Sequence, residues 1–320
     1  MNRERSLYKV KRLIARKPHW KLPKTLIGDK DAYIEIFKYI RQGLSKSVLP
    51  DTEIFLSYFS EEDYRDKDFV FKVFDALYSK CDSKIILREL SNHLNKNIAT
   101  HLVKQNSGYF EYFCDELRDD EDIARIAVSK QWGMLEYCSD RLKDERDIVR
   151  LAVGQKGTAI HYASGNMKNN AEMGRFAVSK TGEAYRYLSD KLRDDKEITL
   201  IAVEDPKALA IQHASDRLKN DIDVAVSAVR ANGKAIEYVS IENRSQHSVI
   251  SEAIKHSPEL IKHATRRYLY SEPLLFKAVV ENSAVLEYVP EEMSKVMVDM
   301  LDKYDSANTK RNNNDREIDY

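Results

Sequence analysis

The chain has 320 residues, with 52 Lys and Arg balanced by 52 Asp and Glu, so its formal charge is zero; 42% of residues are hydrophobic. No apolar run approaches the roughly 20 residues that span a bilayer, and the N-terminus lacks the apolar core of a secretory signal. Three cysteines, Cys81, Cys114 and Cys138, form neither a Cys-x-x-Cys pair nor an even disulfide set, so the expectation is a cytoplasmic protein with buried thiols and no transmembrane segment.

Charge is uneven along the chain. Residues 1–24 hold nine basic side chains and one acid, Glu4, which leaves a net −8 on the remainder. Leu7, Val10, Leu13 and Ile14 place an apolar stripe beneath these charges. Two readings stand for this segment. It is a basic arm that contacts phosphates, an acidic membrane surface or an acidic partner, with Arg12, Arg16, Lys17 and Trp20 as candidates. Alternatively it is a capping helix docked on the first repeat with a solvated basic face.

Residues 25–93 read as a helical region of degenerate repeats. Residues 25–63 are helical by composition and hold a worn first copy or a cap. Residues 64–69 (Tyr-Arg-Asp-Lys-Asp-Phe) echo Leu117 through Ile123.

From residue 94 to 304 a period near 25 governs the chain. Ala-Val pairs begin at 127, 152, 177, 202, 228 and 278, with Ala253-Ile254 in phase. Ten residues behind each lies an aromatic column, Tyr137, Tyr162, Tyr187, Tyr238 and Tyr288, with His263 in phase and His213 one residue late. Equal spacing of this kind means stacked copies of one supersecondary unit. Ile123, Ile126 and Ala127 have the spacing of one helical face, and the preceding Asp119-Asp120-Glu121-Asp122 supplies a cap and acidic first-turn residues. Gly133, Gly157, Gly182 and Gly233 fall where a helix would end on a left-handed glycine. A second apolar cluster, such as Ala235 to Tyr238, is long enough for about two turns. Isolated helices below about 12–15 residues are marginal in water, so stacking must stabilise them. The prediction is an all-α fold: a right-handed or superhelical α-solenoid of about eight or nine two-helix repeats, on the order of 80 Å long at 8–10 Å per helix. Residues 305–320, rich in Asn, Asp and Arg, read as a disordered polar tail.

These motifs resemble the repeats of a family called domain of unknown function 4116, whose copies read Leu-Arg-Asp-Asp-Lys-Glu-Ile, Ala-Val, a Gly-containing turn, then Ala-Leu-Glu-Tyr-Ala-Ser. Leu192 to Val203, Ala235 to Ser240 and Leu117 to Ser139 are the nearest matches, and the likeness covers roughly 94–290. It departs at His213, at His263, at an inserted residue near Pro206, and at Asn243 where a Leu is expected. The resemblance implies a helical repeat protein of a type met in bacteria, large viruses or phages and some protists. It implies no reaction.

The chemistry-bearing motifs point the same way. There is no phosphate-binding Gly loop, His-Glu-x-x-His, nucleophile elbow or calcium loop. Acidic pairs recur in phase with the repeat, the mark of helix capping. His213 and His263 replace Tyr and read as half-buried spacers, and His247, His256 and His263 lack Cys or Asp at ligand spacing. The Ser two residues behind the Tyr column reads as a cap, with no base at a fixed offset. No catalytic, cofactor or metal residues are expected. Trp132 stands apart, in a turn where other copies place Gly, Ser or Pro; it is an exposed binding anchor or a ring folded over a gap in the stack. The leading functional expectation is a non-enzymatic scaffold that binds a protein partner, such as a viral or bacterial factor acting on a host or particle component. The alternative is nucleic-acid binding or a structural role in a particle through residues 1–24. An enzyme site hidden in the irregular copies at 204–270 is a third class, for which few convergent off-pattern polar groups are visible.

Overall fold

A computed structural model describes residues 2–14, 22–43, 56–77 and 84–317. The described residues form helices and turns, with no strand among them. The chain divides into two units: Met1–Ala152 with Tyr162–Ser164, and Val153–His161 with Gly165–Tyr320.

In the first unit, helix α1 (Asn2–Ile14) packs on α2 (Lys30–Gly43) and on the turn Lys24–Leu26 through a fully buried Val10. Asp29 caps α2 by accepting from Ala32 N at 2.9 Å, and α2 then buries Ala32, Tyr33, Ile36 and Phe37 completely. Asp66 caps Lys67–Leu77, which buries Phe69, Val70, Val73 and Phe74. Asn95 caps Lys96–Gln105, which buries Ile98, Ala99, Leu102 and Val103. Asp120 caps Glu121–Lys130, burying Ile123, Ala124, Ala127 and Val128. One register recurs: the cap, then buried positions three, four, seven and eight residues on, which share one helical face.

The second unit keeps that register. Asn170 precedes Met173, Gly174, Ala177 and Val178, and Asp195 precedes Ile198, Thr199, Ala202 and Val203. Asp221 precedes Val224, Ala225, Ala228 and Val229, and Gln246 precedes Val249, Ile250, Ala253 and Ile254. Only Leu274, behind Ser271, falls short of full burial. Helix α2 holds the same register before residue 63, with Tyr33 at the position of Ala124 and Phe37 at that of Val128. Ile126, read from spacing as a core position, lies half-buried on the helix flank.

Each regular copy has three helical pieces rather than the two expected. After Glu121–Lys130 comes a 3-10 segment, Trp132–Tyr137, and then a four-residue α-helix, Asp140–Lys143. Gly182–Tyr187 with Asp190–Arg193 repeats the arrangement in the second unit. The Ser behind the Tyr column caps the short helix: Ser139, Ser189 and Ser215 accept from the backbone N–H of Leu142, Leu192 and Leu218.

The glycines need a different account from the one the spacing suggested. Gly28 is the one described glycine with positive φ. The long helices end instead on extended residues such as Gln131 (φ −149°), Thr181 (−162°) and Asn232 (−148°). Each sends its N–H back to the Ala carbonyl four residues earlier. Glycine answers a close approach: a Cβ on Gly157 would lie 2.4 Å from Ala177 O, and one on Gly182 2.4 Å from Ala202 O.

The polar C-terminal stretch expected as a tail from 305 is helical backbone as far as Glu317, within the helix Glu291–Glu317. Met293 and Met297 are the buried side chains at its start.

Candidate interaction surface

Successive copies are joined by a ladder of polar contacts. In the first unit Ser139 N donates to Arg118 O at 3.4 Å, and Ser164 N to Lys143 O at 2.9 Å. In the second, Ser189, Ser215, Ser240 and Thr265 donate in the same way to Lys168, Arg193, Lys219 and Arg244, at 3.1–3.2 Å. The same Ser hydroxyls reach back to the first polar residue of the preceding acidic run: Ser139 to Asp119, Ser215 to Asp194, Ser189 to Asn169 and Ser240 to Asn220. The acidic runs expected as caps therefore divide their work. Asp120, Asp195 and Asp221 cap, while Asp119 and Asp194 lock copy to copy. These two carboxyls sit below their ordinary pKa, held there first by the Ser139 and Ser215 hydroxyls, with Arg141 and Arg217 adding to it. Lysines clamp the other end: Lys96 spans Asp120 (2.8 Å) and Asp122 (2.6 Å), and Lys196 spans Asp221 (2.8 Å) and Asp223 (2.7 Å).

The Tyr column is half-buried: Tyr137 and Tyr162 in the first unit, Tyr187, Tyr238 and Tyr288 in the second. Cations and rings cover it from neighbouring positions. His161 lies 4.6 Å from the Tyr187 ring, and Lys262 Nζ sits 4.7 Å over Tyr288.

Trp132 occupies the column filled elsewhere by Ser107, Gly157, Gly182, Ala208, Gly233, Pro258 and Ser283. It begins its 3-10 segment and stacks on Tyr162, with ring centroids 6.2 Å apart and planes at 28°. It is half-buried, with its ring packed on that neighbour. Gly133 behind it faces open space and lies outside the glycine column. Of the remaining candidates, Arg12 is exposed on α1; Arg16, Lys17 and Trp20 lie outside the described residues.

The other titratable clusters are closed. Among the described residues no group of three His, Cys, Asp or Glu could hold a metal ion. His256 Nε2 meets Arg230 O at 2.9 Å, and half-buried His263 stands 3.9 Å from Glu237. Burial, with Arg186, Arg193 and Lys219 nearby, lowers the pKa of His213. Tyr268 fills a buried Leu position, its hydroxyl 2.8 Å from His247 Nδ1, while His247 Nε2 reaches Glu281 at 3.1 Å. Burial raises the Tyr268 phenol above its usual range; with the ring fully enclosed, the network serves packing. Sequence reasoning missed this group, since a Tyr in a Leu column carries no sign of where its hydroxyl goes. A groove of about 320 Å³ is lined by Asp115, Arg118, Tyr137, Cys138, Ser139 and Lys143. Burial pushes the Cys138 thiol up to about 12, so it stays protonated at neutral pH. Cys114 is likewise buried and free, and Cys81 lies outside the described residues.

Three tandem segments, residues 130–168, 175–210 and 207–244, match the family described as domain of unknown function DUF4116. The three matches in tandem are consistent with a repeat of this family. Each matched segment is longer than one 25-residue copy. No curated protein and no solved structure matches the chain. No helix among the described residues is long and apolar enough to cross a membrane.

Proposed function

We propose that the copies stack as an α-solenoid and that the chain is a non-catalytic scaffold whose 3-10 face holds a protein partner. The register shared by copy after copy supports the stacking, as do the Ser-to-carbonyl rungs, which leave each unit's junctions satisfied. Spread contacts along repeated copies need no catalytic constellation. The observation that carries the binding reading is Trp132: a large, half-buried ring stands where the repeat elsewhere holds small residues or Pro, stacked on Tyr162. Aromatic anchors held rigid by a neighbour are the usual centres of protein interfaces. The net −8 beyond residue 24 favours a partner with a basic patch.

The test is affinity capture from native extract with the full chain and with Trp132→Ser, which restores the residue of copy Ser107. Circular dichroism checks that both are folded alike. A partner retained by the natural chain and depleted on Trp132→Ser supports the reading; equal retention by both, or none by either, contradicts it.

A further inference from the structure

We propose that the solvent face of α1 binds single-stranded nucleic acid, with Arg5, Lys9 and Arg12 on phosphates and Tyr8 on a base. Three observations carry this. First, the rotation of α1 is fixed: Val10 is fully buried, Leu7 is half-buried, and the Ser6 hydroxyl meets Thr25 Oγ1 at 3.3 Å. Arg5, Lys9 and Arg12, at i, i+4 and i+7, consequently form one exposed stripe. At 1.5 Å per residue it is about 10 Å long.

Second, these cations are uncommitted. Several surface cations elsewhere in the same unit are engaged by acids: Lys30 by Asp66 (2.7 Å), Arg88 by Asp115 (2.7 Å), Lys96 by Asp120 and Asp122, and Arg141 by Asp119 (3.0 Å). Arg5, Lys9 and Arg12 pair with no carboxylate among the described residues. Third, Tyr8 is 64% exposed in the midst of the stripe, and an aromatic face among cations is the arrangement that takes an unpaired base. An acidic membrane is the poorer partner, because a surface helix binds bilayers through its apolar face, and here that face is spent on packing against α2.

The experiment is fluorescence anisotropy of the full chain with labelled 20-nucleotide oligo-dT between 20 and 150 mM salt, beside a 20-base-pair duplex and phosphatidylserine vesicles. With about 0.7 counterions released per phosphate contact on a single strand, Arg5→Gln/Lys9→Gln/Arg12→Gln should lower the magnitude of the log–log salt slope by about 2. Tyr8→Ala should weaken oligo-dT binding about fivefold or more with the slope unchanged. All four residues are exposed, so circular dichroism should show both variants folded. No binding at 20 mM salt, a slope indifferent to the triple variant, duplex binding as tight as oligo-dT, or vesicles bound in preference would each overturn the assignment. None of these outcomes bears on Trp132, so the scaffold reading is tested separately.

Discussion

The first two copies and the copies between residues 170 and 233 hold the same register with opposite contents. In the former the buried positions include Tyr33, Phe37, Phe69 and Phe74 beside Ala32 and Val70; in the latter they hold no ring, with Gly174, Ala177, Thr199, Ala202, Ala225 and Ala228 beside Met173, Ile198 and Val224. The rings of the early copies pack on one another, Tyr33 5.0 Å from Phe59 and Phe59 5.3 Å from Phe69. Tyr33 also holds the chain, accepting from Gly28 N at 2.7 Å and donating to Tyr58 O at 3.2 Å. Copy length differs as well: caps are 37 and 29 residues apart from Asp29 to Asp66 to Asn95, against 25 and 26 from Asn170 to Asp195 to Asp221. What the repeat conserves is the register of a buried face.

The comparison breaks most visibly where the ring-filled copies lose a ring. Phe37→Ala should cost about 3–5 kcal/mol, read by chemical denaturation, because Phe37 is fully buried among large neighbours that cannot close the gap. A cost below about 1 kcal/mol would show that the early copies are loosely filled. The small-residue copies should fail in the other direction. Gly182→Ala should cost about 1–3 kcal/mol, since the new Cβ meets a backbone oxygen at 2.4 Å, whereas Gly133→Ala should be neutral or stabilising by about 0.4–1 kcal/mol. Equal effects at the two glycines would remove the close-approach account.

Much of this was legible in the sequence. The helical class, the 25-residue period, the Ala-Val column and the capping role of Ser all follow from spacing. The first copy is hard to read because Ile36-Phe37 stands where later copies place Ala-Val and the unit runs to 37 residues. The short helices escape notice because four residues such as Asp140–Lys143 carry one apolar side chain and no period. Glycine spacing is the same whether φ or a nearby carbonyl demands it, so only geometry separates Gly182 from Gly133. The double service of the acidic runs is hidden too, since Asp119 and Asp120 are neighbours in sequence with partners in different copies.

Two smaller effects sharpen the comparison within the small-residue copies. Asn243 is a buried polar residue where neighbouring copies bury Leu218 or Tyr268; its Nδ2 donates to Lys219 O at 3.2 Å, a carbonyl already served by Ser240 N. Asn243→Leu should therefore stabilise by about 1 kcal/mol, seen as a higher denaturation midpoint. The smallest effect is on acid sensitivity. Asp119 and Asp194 have folded pKa values below the usual carboxylate range, so the unfolded chain binds more protons in acid. Their contribution is present above the unfolded value of about 3.9 and is lost as pH falls through the folded values. Asp119→Asn with Asp194→Asn, copying Asn169 and Asn220, should flatten stability between pH 4.5 and 2.5 and change little at pH 7; an unchanged acid limb would exclude these carboxyls as its source.

The most direct test of the proposed stacking is small-angle scattering from the full chain. A compact body of 320 residues has a radius of gyration of about 20 Å. Copies piled at 8–10 Å per helix should give roughly 25–30 Å and a distance distribution with a long tail. A value near 20 Å with a symmetric distribution would contradict the solenoid and, with it, the scaffold.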